Sequence, residues 1–121
     1  MADARRNAPF DEDAVRAALQ RSWSRASSSL FTPESPAAGQ CGVTALVLND
    51  HFGGEILKTP VGGRPHFYNR IDGRRRDLTR EQFGAPPEYL DLPSSRAEAL
   101  ADANEAQYVQ LALRFAEAYF R

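Results

Sequence analysis

Residues 66–79 of the chain read HFYNRIDGRRRDLT. Asp72 and Gly73 stand at its centre, between an aromatic-rich run and an arginine-rich run. An Asp-Gly pair between two such runs is among the strongest local signals for a β-hairpin with a two-residue turn. The segment therefore predicts two antiparallel strands that are joined at Asp72 and Gly73.

The predicted turn determines which residues of the hairpin share a face. Ile71 lies opposite Arg74, and stepping outward along both strands places Tyr68 opposite Asp77. Because alternate residues point to the same face, His66, Tyr68 and Asp77 lie together. His66 and Asp77 become diagonal neighbours about 7–8 Å apart at the backbone, a gap that an imidazole and a carboxylate can span. A three-residue bulged loop would break this relation.

A histidine and an aspartate placed in this way can support catalysis. The aspartate accepts a hydrogen bond from one ring nitrogen and orients the histidine, which leaves the other nitrogen to act as a base. Taken singly, His66 could be a satisfied histidine at the start of a strand, and Asp77 could merely terminate the hairpin. Their joint arrangement with an upstream cysteine favours a functional site.

The upstream cysteine, Cys41, begins the most apolar part of the chain. Residues 41–52 precede Gly53 and Gly54, and a stretch of about twelve residues rich in Leu and Ala favours a buried helix over a buried strand. A thiol at a helix N-terminus feels the helix dipole, which lowers its pKa, and the free amides there can hold an oxyanion. Gly42 leaves room for a substrate. The alternative is an inert cysteine in the core.

The flanking sequence completes the predicted fold. Asp11 is a helix N-cap for a first helix that runs to about Arg25, and Ser95 with Glu98 forms a capping box that begins a long helix to the C-terminus. Glu55 to Thr59 is a strand candidate. A loop is predicted at 27–39, a loop or the top of a turn at 60–65, and an irregular segment at 80–93. The result is an α+β fold in which the Cys-bearing central helix packs on a small antiparallel sheet with flanking N- and C-terminal helices.

Composition limits the classes of function. The chain has 121 residues and a net charge of −1, which suits one domain at 10–121 after a flexible segment at 1–9, and gives no reason to expect a nucleic-acid or membrane partner. A single cysteine excludes an internal disulfide, and one cysteine with two histidines gives no metal site. The sequence shows no cofactor motif, no membrane span and no secretion signal, so a cytoplasmic location is expected.

Two resemblances follow from these residues. The order Cys41, His66, Asp77 resembles that of transglutaminase-like and papain-like cysteine enzymes. The segments GQCGVTALV (39–47), FGGEIL (52–57), HFYNR (66–70) and DLTREQF (77–83) are more closely similar to the YunG family of small bacterial proteins, over about residues 22–120. The resemblances imply a papain/transglutaminase-like core. The chain departs from transglutaminases in being much shorter and in lacking the usual tryptophan after the histidine.

Further site residues are suggested by the same resemblances. Trp23 corresponds in kind to the upstream tryptophan that donates its indole N–H to an oxyanion in transglutaminases, although a helix tryptophan is more often a core residue. Gln40 resembles the papain-type oxyanion glutamine in kind but not in spacing, so fixing the loop is its alternative role. Gly42 and Tyr68 complete the predicted substrate and oxyanion residues. Asn69 faces away from His66 and is predicted to be structural.

The predicted function is thiol-dependent acyl chemistry on an amide, ester or thioester of a small molecule or peptide. Cys41 attacks the carbonyl, His66 transfers the proton and Asp77 orients His66. Whether water or an amine takes the acyl group stays open. Two alternatives also stay open: a lyase, isomerase or cyclase that uses the cysteine and histidine for proton transfer, and a non-catalytic binding module.

Overall fold

The computed structural model describes residues 9–120, so the predicted flexible segment 1–9 lies outside the described residues except for Pro9. The fold is α+β, with four helices and a small antiparallel sheet in this part of the chain. The elements in chain order are α1 (Glu12–Ser22), α2 (Cys41–Phe52), β1 (Glu55–Val61), β2 (Arg64–Ile71), β3 (Arg74–Arg76), β4 (Leu92–Pro93), α3 (Arg96–Ala101) and α4 (Glu105–Tyr119).

Helix α2 is the central element. It begins at Cys41 and ends at Phe52, so the predicted helix and its bounds are confirmed. Gly53 ends it with a φ of 71°, which only glycine adopts without strain. Almost every residue of α2 is buried, because β2, α3 and α4 all pack on it. This explains why the segment is apolar on all sides rather than amphipathic.

The sheet has the order β3-β2-β1-β4 and all its pairs are antiparallel. Ile71 pairs with Arg74 and Asn69 with Arg76, so the predicted Asp72-Gly73 hairpin and its register are confirmed. Strand β3 stops at Arg76, and in the described chain no strand covers the β3 side of β2 before Asn69. The first half of β2 is therefore an open edge on that side.

Asn69 has the structural role that was predicted for it. Its side chain is buried and points to α2, where Nδ2 donates a hydrogen bond of 3.0 Å to the carbonyl of Ala45. This contact fixes α2 against the middle of β2. Phe67, on the same face of the strand, packs with Cys41 and Ala45 in a hydrophobic cluster.

Residues 60–65, for which a loop or the top of a turn was predicted, form the tip of a second hairpin, so the turn is confirmed. Strand β1 continues to Val61 and β2 begins at Arg64, with Pro60 opposite Pro65. Gly62 and Gly63 form the turn with φ values of 58° and 79°. Two adjacent residues with positive φ are what a tight hairpin turn requires, and a Gly-Gly pair meets that requirement.

The helical predictions at both ends need correction. Helix α1 ends at Ser22 rather than near Arg25, because Trp23 is extended. The predicted long C-terminal helix is two helices. Ser95 caps α3 as predicted, but α3 ends at Ala101. Asn104 caps the next helix, α4, by accepting a hydrogen bond of 2.8 Å from the backbone N–H of Gln107.

The hydrophobic core lies mainly between the helices. Helix α1 packs on α4, and both contribute to a cluster with α2 that includes Leu19, Val47, Leu111 and Phe115. Between residues 9 and 120, none of the helices combines the length and the hydropathy that crossing a membrane requires.

Candidate active site

His66 and Asp77 are in direct contact. His66 Nε2 lies 2.8 Å from Asp77 Oδ2, and both side chains are only 3% exposed. The contact arises because β2 holds His66 on the face that the hairpin register assigns, while Asp77 follows the last residue of β3. The predicted neighbour relation of these two residues is therefore confirmed.

Asp77 is held by several donors at once. The Tyr89 hydroxyl donates to Oδ2 at 2.7 Å, and the Thr79 backbone N–H donates to Oδ1 at 3.2 Å. Burial by itself raises the pKa of Asp77, but the hydrogen bond and charge of His66 and the bonds from Tyr89 and Thr79 outweigh burial and hold the pKa below its usual value. The carboxylate is thus kept ionised next to the imidazole.

The orientation of the His66 ring leaves Nδ1 available. The ring packs edge-on against Phe83, with centroids 4.8 Å apart, and stacks on Tyr68 at 5.8 Å. Nδ1 is buried, and no group in the described chain forms a hydrogen bond with it. Since Nε2 is engaged by Asp77, Nδ1 is the ring nitrogen that can exchange a proton with another group.

Cys41 lies at the open edge of β2. It is the first residue of α2 and is 8% exposed, with the Phe67 backbone N–H directed to its sulfur. Its Sγ is 3.5 Å from Asp102 Oδ2, to which the thiol donates. Because α2 has no side-chain cap at Gln40, the first amides of the helix are not satisfied by a side chain there.

The prediction of a lowered thiol pKa is wrong for the protein as described. Burial raises the pKa of Cys41 to about 12, and the negative charge of Asp102 adds to this, while the Phe67 N–H opposes it. The helix N-terminus favours a thiolate, but removal of the sulfur from water next to a carboxylate has the larger effect. The thiol is accordingly protonated at neutral pH.

One cavity joins the cysteine and the histidine. It has a volume of about 440 Å³ and lies between the start of α2, the Gly62-Gly63 hairpin, the segment after β3 and the break between α3 and α4. Cys41 and His66 both line it, together with Asp102, Gln82, Phe83 and Arg64. Between residues 9 and 120, no hydrogen bond joins Cys41 Sγ to the His66 ring.

Asp102 was missed by the sequence reasoning. It follows α3 in the break before α4, and a continuous helix had been predicted there. The signal was present in the sequence, because Asn104 and Gln107 have the spacing of an N-cap with its N3 residue, which marks a new helix start. The break directs the Asp102 carboxylate to the thiol.

Gly42 has a different role from the predicted one. A Cβ at this position would lie 2.6 Å from the carbonyl oxygen of Ala99 and 3.1 Å from Asp102 Oδ2. The space beside Gly42 is thus filled by the C-terminal end of α3 and is not open to a substrate. Glycine is needed there because the two helices approach closely, and this approach fixes Asp102 beside Cys41.

Two of the predicted oxyanion residues have other partners. Trp23 lies in the hydrophobic core, and its indole N–H donates to the Thr44 hydroxyl at 3.0 Å, so it does not face the cavity. Gln40 is fully buried, and its Nε2 donates to the Ser24 carbonyl at 3.4 Å, which fixes the preceding loop. Neither residue lines the cavity.

Tyr68 contacts His66 but does not present its hydroxyl to the cavity. The hydroxyl donates to Asp91 Oδ1 and accepts the Asp91 backbone N–H, both at 2.9 Å. Arg75 binds the same carboxylate with two nitrogens, at 2.9 and 2.7 Å. Tyr68 therefore supports the back of the imidazole. Tyr89, whose hydroxyl donates a hydrogen bond to Asp77, was not predicted, since the irregular segment 80–93 carries no pattern that places its side chains.

No group of three or more His, Cys, Asp or Glu side chains suited to a metal ion occurs between residues 9 and 120. The carboxylates and the histidine of the site form pairs instead, with Asp77 on His66 and Asp102 on Cys41.

Comparison with known proteins identifies the family. The family model described as "YunG protein" matches residues 11–119. The chain is 59% identical over 97 residues to the uncharacterized protein YunG of Bacillus subtilis (strain 168), a match that covers 80% of this chain and 84% of that protein. No solved structure matches the chain. The matched range includes α2, the sheet and α4, so the chain belongs to the YunG protein family.

Proposed function

We propose that this protein performs thiol-dependent acyl chemistry, as a hydrolase or acyltransferase, with Cys41 as nucleophile, His66 as general base and Asp77 as the residue that orients His66. The observation that carries the proposal is the buried contact of His66 Nε2 with Asp77, which leaves Nδ1 without a partner in the described chain, on a residue that lines the same cavity as Cys41. A buried, oriented imidazole with one unpaired nitrogen has the features of a base positioned for proton transfer.

The proposed reaction has two steps. Cys41 Sγ attacks the carbonyl carbon of an amide, ester or thioester while its proton passes to His66 Nδ1, and the first amides of α2 stabilise the oxyanion. The bond to the leaving group breaks, and the leaving group takes the proton from His66. Water or an amine then attacks the thioester and gives its proton to His66. The carbon–sulfur bond breaks, and His66 returns the proton to the sulfur, so Cys41 leaves as the thiol.

The raised pKa of the thiol determines how the proton moves. With a pKa of about 12, Cys41 has almost no thiolate at neutral pH, so a preformed thiolate–imidazolium pair does not support attack. Deprotonation by His66 must accompany attack on the carbonyl. The proposed mechanism therefore resembles general-base activation of a hydroxyl more than the resting ion pair of many cysteine enzymes.

The same features support a papain/transglutaminase-like core. We propose this likeness for the placement of the cysteine, histidine and aspartate on the helix and the sheet. In the described chain the cysteine begins a buried helix that packs on an antiparallel sheet, the histidine lies on a strand of that sheet, and the aspartate follows the next strand.

A proton-transfer function is the second candidate, as a lyase, isomerase or cyclase. It is favoured by one observation: the thiol of Cys41 is protonated, and Cys41 lines the same cavity as His66, whose Nδ1 has no partner in the described chain. This function forms no bond between Cys41 and substrate carbon. A binding module on the same scaffold would need neither group.

Acylation by p-nitrophenyl acetate tests the proposal. We expect the wild type to release p-nitrophenolate and to gain one acetyl group on Cys41, detected by intact mass, because Cys41 is the single cysteine. We expect His66→Ala to slow acylation about 10²-fold. His51→Ala, at the other histidine, is the matched control and should acylate at the wild-type rate.

The rival functions predict different results. Acylation of wild type and His66→Ala at the same rate would overturn the proposed role of His66. An absence of acetyl-Cys41, together with no release of p-nitrophenolate above that of Cys41→Ser, would overturn the acyl mechanism and leave proton transfer or binding. Cys41→Ser, folded as judged by circular dichroism, should not be acetylated at this position at a comparable rate.

A further inference from the structure

We propose that Asp102 is a specificity-determining residue that selects substrates carrying a protonated amine next to the reacting acyl group. The inference rests on the proposed function, because it assigns the substrate class of the same site. Asp102 places a carboxylate oxygen 3.5 Å from the sulfur of Cys41, on the wall of the cavity that His66 lines. The carboxylate in contact with the candidate nucleophile thus belongs to a residue that no step of the proposed acyl chemistry uses.

The position of Asp102 is fixed by packing. Gly42 allows the end of α3 to approach the first turn of α2 so closely that a methyl group would lie 2.6 Å from the Ala99 carbonyl oxygen. Asp102 follows directly after Ala101, and Asn104 then caps the next helix. The carboxylate is therefore held at the thiol by two helix ends rather than by a free loop.

The charge of Asp102 is not neutralised within the described chain. No Lys, Arg or His nitrogen between residues 9 and 120 lies within 4.0 Å of its carboxylate, and the thiol is its only hydrogen-bond donor there. Arg64 and His66 line the same cavity and attract Asp102 at longer range, but Arg64 is exposed at the end of the hairpin, His66 is engaged by Asp77, and neither makes an ion pair with Asp102. A cation on a bound molecule can supply the missing partner.

A cationic substrate would also remove an obstacle to the reaction. A carboxylate beside the sulfur opposes the negative charge that develops on sulfur and on the oxyanion. An ammonium group that binds Asp102 replaces the thiol as hydrogen-bond donor to the carboxylate, and its positive charge cancels this repulsion. The thiol is then free to turn to His66 Nδ1, which is buried and has no partner in the described chain. A neutral or anionic substrate would leave the repulsion in place.

Three reagents that share a two-carbon linker and differ in the charge of the end group test the inference. They are the 2-aminoethyl, 2-hydroxyethyl and 2-sulfonatoethyl methanethiosulfonates, which are cationic, neutral and anionic at neutral pH. Each transfers its thioalkyl group to a cysteine with loss of methanesulfinate, and Cys41 is the single target in the chain. Rate constants are measured at low ionic strength by intact mass and divided by those of 2-mercaptoethanol with the same reagent, which removes intrinsic differences in reactivity.

The expected result is a charge preference that depends on Asp102. The normalised rates of the wild type should favour the cationic over the anionic reagent by at least about tenfold, and Asp102→Asn should reduce this ratio to near one. Glu105→Gln removes the same charge from an exposed position in the first turn of α4 and should keep the wild-type ratio. If Asp102→Asn lowers the melting temperature, Asp102→Glu serves as a second variant. It retains the charge and should keep part of the preference for the cationic reagent.

The outcomes separate this inference from the proposed function. A wild-type ratio near one, an unchanged ratio in Asp102→Asn, or a wild type that reacts with none of the reagents would overturn the selection of cations by Asp102. The ratio does not depend on His66 as a base, so a charge preference in a protein that fails the acylation test would keep the ligand class and overturn only the acyl mechanism.

Discussion

A hydrogen bond of 2.8 Å joins His66 Nε2 to Asp77 Oδ2, and both side chains are almost fully buried. The carboxylate accepts a hydrogen bond from Nε2–H, so the neutral imidazole carries its proton on Nε2 and has a free lone pair on Nδ1. The aspartate thus sets the tautomer of the ring as well as its orientation. This relation leads to the first prediction.

Asp77→Asn should remove base function from His66 while it preserves the shape of the site. An asparagine amide donates to Nε2, so the proton of the neutral ring moves to Nδ1, the nitrogen at which the base function is proposed. We expect acylation by p-nitrophenyl acetate to fall about as far as in His66→Ala. The ¹⁵N chemical shifts of the ring report the tautomer, and a spectrum like that of the wild type would contradict this explanation.

Tyr89→Phe should destabilise the protein through Asp77. Its hydroxyl donates to the buried Oδ2 atom at 2.7 Å, and removal of that donor leaves a buried carboxylate with one partner fewer. We expect the free energy of unfolding to fall by about 1–3 kcal/mol, measured by urea denaturation. Tyr119→Phe is the matched control, because the Tyr119 hydroxyl makes no hydrogen bond within residues 9–120, and its effect should be below about 0.5 kcal/mol.

Gly42→Ala should be much more destabilising than an ordinary substitution of glycine by alanine. The added methyl group would overlap the Ala99 carbonyl and press on Asp102, so α3 has to move away from α2. We expect a loss of about 1–3 kcal/mol and a changed rate of Cys41 modification. Gly84→Ala adds a methyl group where no atom lies within 4 Å and should leave both measurements near the wild type. Equal effects of the two substitutions would contradict the close approach.

The predictable parts of this structure are those that local signals determine. The Asp72-Gly73 turn sets the register of β2 and β3. A run of residues with high helix propensity, followed by Gly53, sets the bounds of α2. These two elements carry Cys41, His66 and Asp77. The main members of the candidate site could therefore be predicted from the sequence.

The residues that the sequence did not reveal depend on packing between distant segments. Asp102 reaches Cys41 because α3 ends where Gly42 allows close approach, and Tyr89 reaches Asp77 from an irregular segment without a periodic pattern. The protonation state of the Cys41 thiol also depends on packing between distant segments. Helix position alone predicts a lowered pKa, whereas burial by surrounding elements raises it.

Trp23→Phe should affect stability but not the chemistry of Cys41. The indole N–H donates to the Thr44 hydroxyl within the core, and phenylalanine leaves that hydroxyl without its donor. We expect a loss of about 1–3 kcal/mol in the free energy of unfolding, with acylation of Cys41 unchanged under conditions where the variant is folded. A fall in acylation of tenfold or more in the folded variant would instead support an oxyanion role for Trp23.

Acid should unfold the protein partly by protonating Asp77. Its pKa in the folded protein lies below the usual 3.8, so the stability that it contributes is fully present above that value and is lost as pH falls through the lower, folded pKa. We expect the free energy of unfolding to decline as pH falls below about 4, and to decline less steeply in Asp77→Asn. Urea denaturation at a series of acidic pH values measures both slopes. If the two slopes are equal, the carboxylate that faces His66 is not stabilised in its charged form, because only a group whose pKa differs between the folded and unfolded chain makes stability depend on pH.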